Sequence, residues 1–334
     1  MVYYKDLSTL ENDIHISRKV LYKFSRNIFS NYKTVEIMKN NGEVRTLHVP
    51  KDDLKSIQRT IRFYILRKMP TSIYATAYIR GEGIVNNAKV HVGAENILKL
   101  DIRHFFDNIT YPMVKEKVFK PNIFSKPIRI LLSILCVYEH SIPQGAPTSP
   151  DISNIIMRDF DKEIGDWCRE RNINYTRYCD DMTFSGKFDK EPVIEKVESE
   201  LRKMGFYLNK RKTTYLHSGQ SKNVTGIVVN EKLSVPRKYK KEIRQEIYYC
   251  KKYGIENHMK HSALKKKSRQ LSDSLKGQID FDVDVEISKE QYINSLMGRI
   301  NYVLSVEDNE EMKEYRKWLH GQRKNRYYQL NVLK

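Results

Sequence analysis

No apolar run in this 334-residue chain reaches the length of a membrane-spanning helix. The longest, Ile128 to Tyr138, is interrupted by Ser133 and suits a core helix. The first residues, Met1-Val2-Tyr3-Tyr4-Lys5, lack the pattern of a secretory signal. Cysteine is scarce: Cys136, Cys168, Cys179 and Cys250 are the four, and no two are spaced as metal ligands are. That usage suits free thiols in a reducing cytoplasm. There is no internal repeat and no low-complexity linker. Acidic residues are outnumbered, 41 against 60 basic, which leaves a net charge of +19. Such an imbalance points to a polyanionic partner, most simply nucleic acid, with an anionic membrane surface as the competing explanation. The length is enough for two or three subdomains with a sizeable core.

Tyrosine is plentiful, at 22 residues. Aromatic rings interleaved with Lys and Arg suit base stacking beside phosphate contacts, and equally suit an ordinary core. The most informative stretch is Arg177-Tyr178-Cys179-Asp180-Asp181-Met182-Thr183-Phe184-Ser185. Adjacent carboxylates repel, and Asp is a poor strand residue. Around them Ile173, Tyr175, Tyr178, Met182 and Phe184 read as two short buried strands. A strand, a tight acidic turn and a strand form a hairpin that raises carboxylates on a rigid platform. A hard divalent cation such as Mg²⁺ is the natural counter-charge for such a pair.

In order, residues 7–29 read as one or two helices, and Tyr32 to Pro50 as a hairpin turning at Asn41-Gly42. That hairpin brings Lys39 and Arg45 together, either as a solvated edge or as a phosphate contact. Asp52 to Leu66 has helical periodicity. Asn87-Ala88-Lys89-Val90-His91 follows, with no metal spacing around His91. The apolar run Ile97 to Leu100 delivers Asp101 to a strand end, and Phe105-Phe106 come next. Ser141-Ile142-Pro143-Gln144-Gly145-Ala146-Pro147-Thr148-Ser149-Pro150 is a rigid loop opening an apolar helix, Ile152 to Ile164. Val193 to Met204 reads as an amphipathic helix, Gly205 to Thr213 as a basic turn containing Lys212, and Asn223 to Asn230 as a strand. From Val235 the chain turns basic. Arg237, Lys238, Lys240 and Lys241, then Lys265, Lys266 and Lys267, recur among apolar residues, as on helices with one basic face. Asp280, Asp282, Asp284 and Glu286 alternate with apolar residues, an acidic edge or a metal site.

These motifs, in this order, resemble those of reverse transcriptases. Asn87 to His91, Val224-Thr225-Gly226 and the compact length resemble the retron branch in particular. The resemblance covers residues 32–230 and is weaker beyond. It implies an α+β right-hand polymerase fold: fingers and palm over 1–230, with an antiparallel palm sheet carrying the acidic hairpin, and a mainly helical, RNA- and duplex-binding thumb over 231–334. It implies Asp101, Asp180 and Asp181 as catalytic residues holding two Mg²⁺ ions. It implies Lys39, Arg45, Phe106, Gln144 and Lys212 as nucleotide-binding residues: Arg45 and Lys39 on the triphosphate, Phe106 as the gate against a ribose 2′-hydroxyl, Gln144 along the template–nucleotide pair, Lys212 toward pyrophosphate. Asn87, His91, Arg237, Lys238, Lys240, Lys241, Lys265, Lys266 and Lys267 become RNA-binding, with an internal hydrogen-bonding role also open for His91. Cys179 stands where alanine is common in the family, and its size fits.

The implied activity is RNA-directed DNA synthesis on a structured non-coding RNA, primed from its own 2′-hydroxyl and leaving DNA joined to RNA (msDNA). dNTPs are the substrates, and an effector protein in an anti-phage system is an implied partner. A group II intron-type or other bacterial reverse transcriptase is the alternative enzyme, with the lack of an endonuclease module weighing against the intron type. A non-catalytic RNA-binding scaffold is the alternative of another class.

Overall fold

A strand as apolar as Ile97 to Leu100 has no face to give to water, so other layers must cover it on both sides. The computed structural model describes residues 4–38, 44–260 and 288–330, and puts that strand in the interior of a four-stranded antiparallel sheet. Lys39, Asn41-Gly42, Lys265 to Lys267 and Asp280 to Glu286 lie outside the described residues.

Helices α1 (Leu7–Ile14) and α2 (Arg18–Arg26) give Leu10, Ile14 and Leu21 to the core. Asp6 caps α1, its carboxylate accepting the Thr9 N–H at 2.9 Å. Strands β1 (Tyr32–Met38) and β2 (Val44–Pro50) pair antiparallel with Ile37 opposite Arg45, as the expected hairpin requires. Helix α3 (Asp52–Tyr64) starts with two aspartates at its positive end and buries Leu54, Ile57 and Ile61. Helix α4 (Ile84–Lys89) leads to β3 (Asn96–Asp101). The interrupted apolar run becomes α5 (Lys126–Cys136), with Ile128, Leu131, Leu132 and Leu135 buried. Helix α6 (Ser149–Arg169) has Pro150 in its first turn, where a missing N–H costs nothing. Then come β4 (Asn174–Tyr178), β5 (Asp181–Gly186), α7 (Lys190–Lys203) and β6 (Thr214–Leu216). The sheet order is β4-β5-β3-β6.

The run Asn223 to Asn230 is not one strand. It forms β7 (Asn223–Val224) and β8 (Ile227–Val228) around Thr225 and Gly226, which have φ of 47° and 85°. Two successive left-handed residues reverse the chain as in a type I′ turn. The chain divides into two compact units at this turn, between Thr225 and Gly226.

The second unit is helical: α8 (Arg237–Tyr253), α9 (Lys289–Val306) and α10 (Glu310–Leu330). Its core includes Ile243, Ile247, Leu296, Ile300, Val303, Met312 and Leu319. Ser288 and Gln291 form a reciprocal capping box at the start of α9. Glu307, just past α9, accepts from Lys240 Nζ at 2.7 Å and from the Val235 N–H at 3.1 Å.

Asn87 and His91 are inside the first unit, 1% and 0% exposed, which corrects the RNA-contact reading of both and leaves His91 the internal hydrogen-bonding role that its sequence context left open. His91 lies between the two strands of the acidic hairpin, its ring nitrogens 2.7 Å from Ser185 Oγ and 2.7 Å from Thr176 Oγ1. Asn87 accepts from the Thr76 hydroxyl at 2.8 Å. Burial lowers the His91 pKa to about 4, so the ring is neutral in the fold.

The unfolded chain takes up that proton near pH 6.5 and the folded chain only near 4, so stability falls as pH falls through this window. The fold should lose about 3 kcal/mol there from this one group. Urea midpoints of wild type and His91→Gln, measured from pH 6.5 to 4, should diverge, with the wild type falling more steeply. Parallel curves would remove His91 as the source.

Candidate active site

Asp101 ends β3, and Asp180 and Asp181 follow β4 and open β5. In the ladder Asp101 and Asp181 are directly opposed, and the Ile102 N–H donates to the Asp180 carbonyl at 3.1 Å. The three carboxylates, expected from two separate motifs, are thus brought to one corner of the sheet. Asp101 is 4% exposed. Its carbonyl accepts from the Asn209 N–H at 2.8 Å, which fastens the following loop to it.

Burial first, and then the neighbouring carboxylates, raise the pKa of Asp180 and push that of Asp181 up to about 6. The ammonium of Lys212 stands 2.6 Å from Asp101 Oδ2, and this hydrogen bond raises the lysine pKa. Although paired, the Lys212 side chain is 60% exposed. Among the described residues no three His, Cys, Asp or Glu side chains are gathered in ligand geometry about one point. Asp101 is committed to Lys212 instead. The donor chemistry nevertheless fits a hard divalent cation: carboxylate oxygens only, crowded enough that their charged forms are disfavoured without a counter-charge.

The turn between β4 and β5 is held from behind. Cys179 has φ of 62°, a left-handed geometry uncommon for a side chain with a Cβ. Arg177, fully buried in β4, donates from Nη1 to the Cys179 carbonyl at 2.9 Å and to Asn154 Oδ1 at 3.2 Å. Its Nε and Nη2 each lie 2.7 Å from the two oxygens of Asp161 on α6. Tyr175 donates its hydroxyl to the same carboxylate at 2.9 Å. Burial works against the guanidinium charge, but Asp161 overcomes it, so the Arg177 pKa is raised. The sequence reading gave Arg177 and Asp161 no role. The available signal was spacing: Asp161 falls four residues after Met157 and three before Ile164, on the buried stripe of α6.

Phe105 is buried, as expected, and Phe106 is half-buried, its ring 5.4 Å from that of Phe105. The loop before α6 is closed by the Ser149 hydroxyl donating to the Pro143 carbonyl at 2.6 Å. Gly145 presses on β2: an added Cβ would stand 2.7 Å from the His48 carbonyl, so only glycine fits. This approach lets Arg45 Nε donate to Gln144 Oε1 at 2.6 Å, and the two expected nucleotide-binding residues are therefore adjacent. In the second unit Arg237, Lys238 and Lys241 are exposed. Lys240 is the exception: its ammonium is bound to Glu307, which corrects its reading as a free phosphate contact.

Residues 37–249 match the family described as reverse transcriptase, RNA-dependent DNA polymerase. Three curated relatives are similar. The retron Mx65 reverse transcriptase of Myxococcus xanthus is 30% identical over 253 residues, covering 69% of this chain and 58% of that one. The retron Ec86 reverse transcriptase of Escherichia coli is 32% identical over 232 residues, covering 68% and 72%. The retron Ec83 reverse transcriptase of Escherichia coli is 33% identical over 248 residues, covering 68% and 78%. The chain belongs to the reverse transcriptase family, the RNA-directed DNA polymerases of right-hand fold. Within that family it is of the retron type.

The Arg177–Asp161 pair generates a stability prediction. Arg177→Met leaves a carboxylate buried without a counter-charge and should cost about 3–5 kcal/mol. Adding Asp161→Leu should recover much of that loss, because the two changes are coupled. Urea unfolding of the single and double variants measures it. A double variant as unstable as the sum of the singles would deny the coupling.

Proposed function

We propose that this chain is the RNA-directed DNA polymerase of a retron. Its template would be a structured non-coding RNA, copied into DNA that stays joined to that RNA. The observation that carries the reading is the convergence of Asp101, Asp180 and Asp181 at one sheet corner, with Lys212 on Asp101. The first unit serves as fingers and palm, and the basic helical unit as a thumb. Exposed Arg237, Lys238 and Lys241 suit phosphate contacts along a duplex. Participation in anti-phage defence with an effector protein fits the retron relatives' family and belongs to the same proposal.

Asp101, Asp180 and Asp181 would hold the magnesium ions, which supply charge neutralisation at the triphosphate and a lowered pKa for the attacking hydroxyl. The protein's own groups do the rest. The β3 and β4–β5 backbones fix where the carboxylates start, and the rearrangement that remains is for Lys212 to leave Asp101. Lys212 keeps its proton, because its pKa is raised, and its exposure lets it turn from Asp101 toward a departing pyrophosphate. Arg45 meets the triphosphate while Gln144, held by Arg45, lines the nascent pair. Phe106 walls the sugar.

Two measurements test this. Asp180→Asn keeps shape but removes one charge, and primer extension on a primed RNA should slow by about a thousandfold or more. RNA affinity should persist, because it rests on basic residues elsewhere. Near-normal synthesis by this variant would sink the catalytic assignment. Phe106→Ala should admit ribonucleotides while dNTP incorporation continues, read from single-nucleotide extension with matched rNTP and dNTP. Unchanged discrimination would return Phe106 to packing alone.

A further inference from the structure

The segment Ser72 to Tyr78 is fastened to the strand that enters the acidic turn. The Arg177 N–H donates to the Tyr74 carbonyl at 2.8 Å, and the Thr76 N–H to the Arg177 carbonyl at 2.9 Å. The Thr76 hydroxyl adds a bond to that same carbonyl at 3.2 Å. The buried amide of Asn154 donates to the Ala77 carbonyl at 2.8 Å. The next residue, Tyr78, has φ of 65°. A bulky side chain in the left-handed region is an outlier, and glycine would occupy it without strain. Glycines occur close by, at Gly81 and Gly83, yet this position carries an aromatic ring. Residues held in such geometry by their surroundings cluster at functional sites.

The Tyr78 hydroxyl lies 3.4 Å from Cys179 Sγ, one residue before Asp180. The ring itself remains 45% exposed. Cys179 is buried, and its sulfur meets the Tyr78 hydroxyl rather than solvent. What this corner offers an incoming molecule is therefore the Tyr78 ring.

Resting on the polymerase reading above, we propose that Tyr78 is a positioning residue for the nucleotide bearing the attacking hydroxyl, its exposed ring packing against that nucleotide beside Cys179 and Asp180. A nucleotide whose hydroxyl reacts at Asp101 and Asp180 must bring its sugar to this corner. An aromatic face suits whichever base was added last, because every base has a π-face. The bond to Cys179 sets the ring in place before the nucleotide arrives, and such pre-set contacts convert binding into orientation.

The test is extension of a primed RNA template by the full chain in Mg²⁺, with primed template and dNTP varied separately. Tyr78→Ala should raise the KM for primed template by about tenfold, within the range expected for a lost base–ring stack, and leave the dNTP KM within about twofold. Tyr78→Phe keeps the ring and should return the primed-template KM to within about threefold of wild type. Should Tyr78→Ala fail to fold, Tyr78→Leu gives the same comparison, since it keeps bulk and removes the aromatic face. A wild-type KM for primed template in the Ala or Leu variant overturns the proposal, as does a parallel rise in both KM values. A wild-type protein that extends no primed RNA brings down the polymerase reading itself, and this proposal with it.

Discussion

A guanidinium without access to water holds this molecule's working corner. Arg177 is 0% exposed, and such a charge persists in a core only with a partner and with its donors satisfied. Asp161 takes two of those donors and so frees the third arm to reach Asn154 and the Cys179 carbonyl. The main chain of the same residue binds the segment from Tyr74 to Thr76. One residue thus ties helix α6, strand β4, the acidic turn and the Tyr78 loop together. The carboxylates stand where they do because a helix more than ten residues upstream carries an aspartate on its inner face.

In front of that anchor the electrostatics run the other way. Burial and then neighbouring carboxylates, Asp101 for Asp180 and both Asp180 and Asp101 for Asp181, push these two toward their neutral forms, and Asp101 leans on Lys212. A corner with this much carboxylate repels a triphosphate until cations are present. Lys212 is the one partner here that can leave at small cost, since most of its side chain is already in water. The anchor behind the turn is dry and fixed, while the charge in front is wet and exchangeable. That division suits a site in which geometry must persist while substrates and products come and go.

The parts legible in the sequence were those written locally. The helices at Asp52 to Tyr64 and Ser149 to Arg169, the strands of the two hairpins and the strand that ends in Asp101 follow from periodicity and turn chemistry within a few residues, and they stand where expected. The three carboxylates were legible because they sit in two local motifs, Asp101 at the end of an apolar strand and Asp180-Asp181 in the acidic turn. What escaped depended on contacts across the chain. Asn87 was expected on RNA, and His91 either on RNA or in an internal hydrogen bond; α4 packs against β4, and both residues lie inside, where Thr76, Thr176 and Ser185 satisfy them. The single strand expected at Asn223 to Asn230 failed for a local reason: Thr225 takes a left-handed φ that its β-branched side chain disfavours, so composition pointed the wrong way.

The basic run at the start of α8 separates two kinds of lysine. Lys240, Ile243, Ile247 and Cys250 recur at three- and four-residue spacing, which places all four on the stripe facing the neighbouring helices. A lysine on that stripe must find a carboxylate, and Lys240 finds Glu307. Arg237, Lys238 and Lys241 fall off the stripe and face water. The count of positive charges in such a run therefore overstates its nucleic-acid-facing set. The periodicity of the apolar residues, already present in the sequence, says which charge belongs to the fold and which are left for a partner.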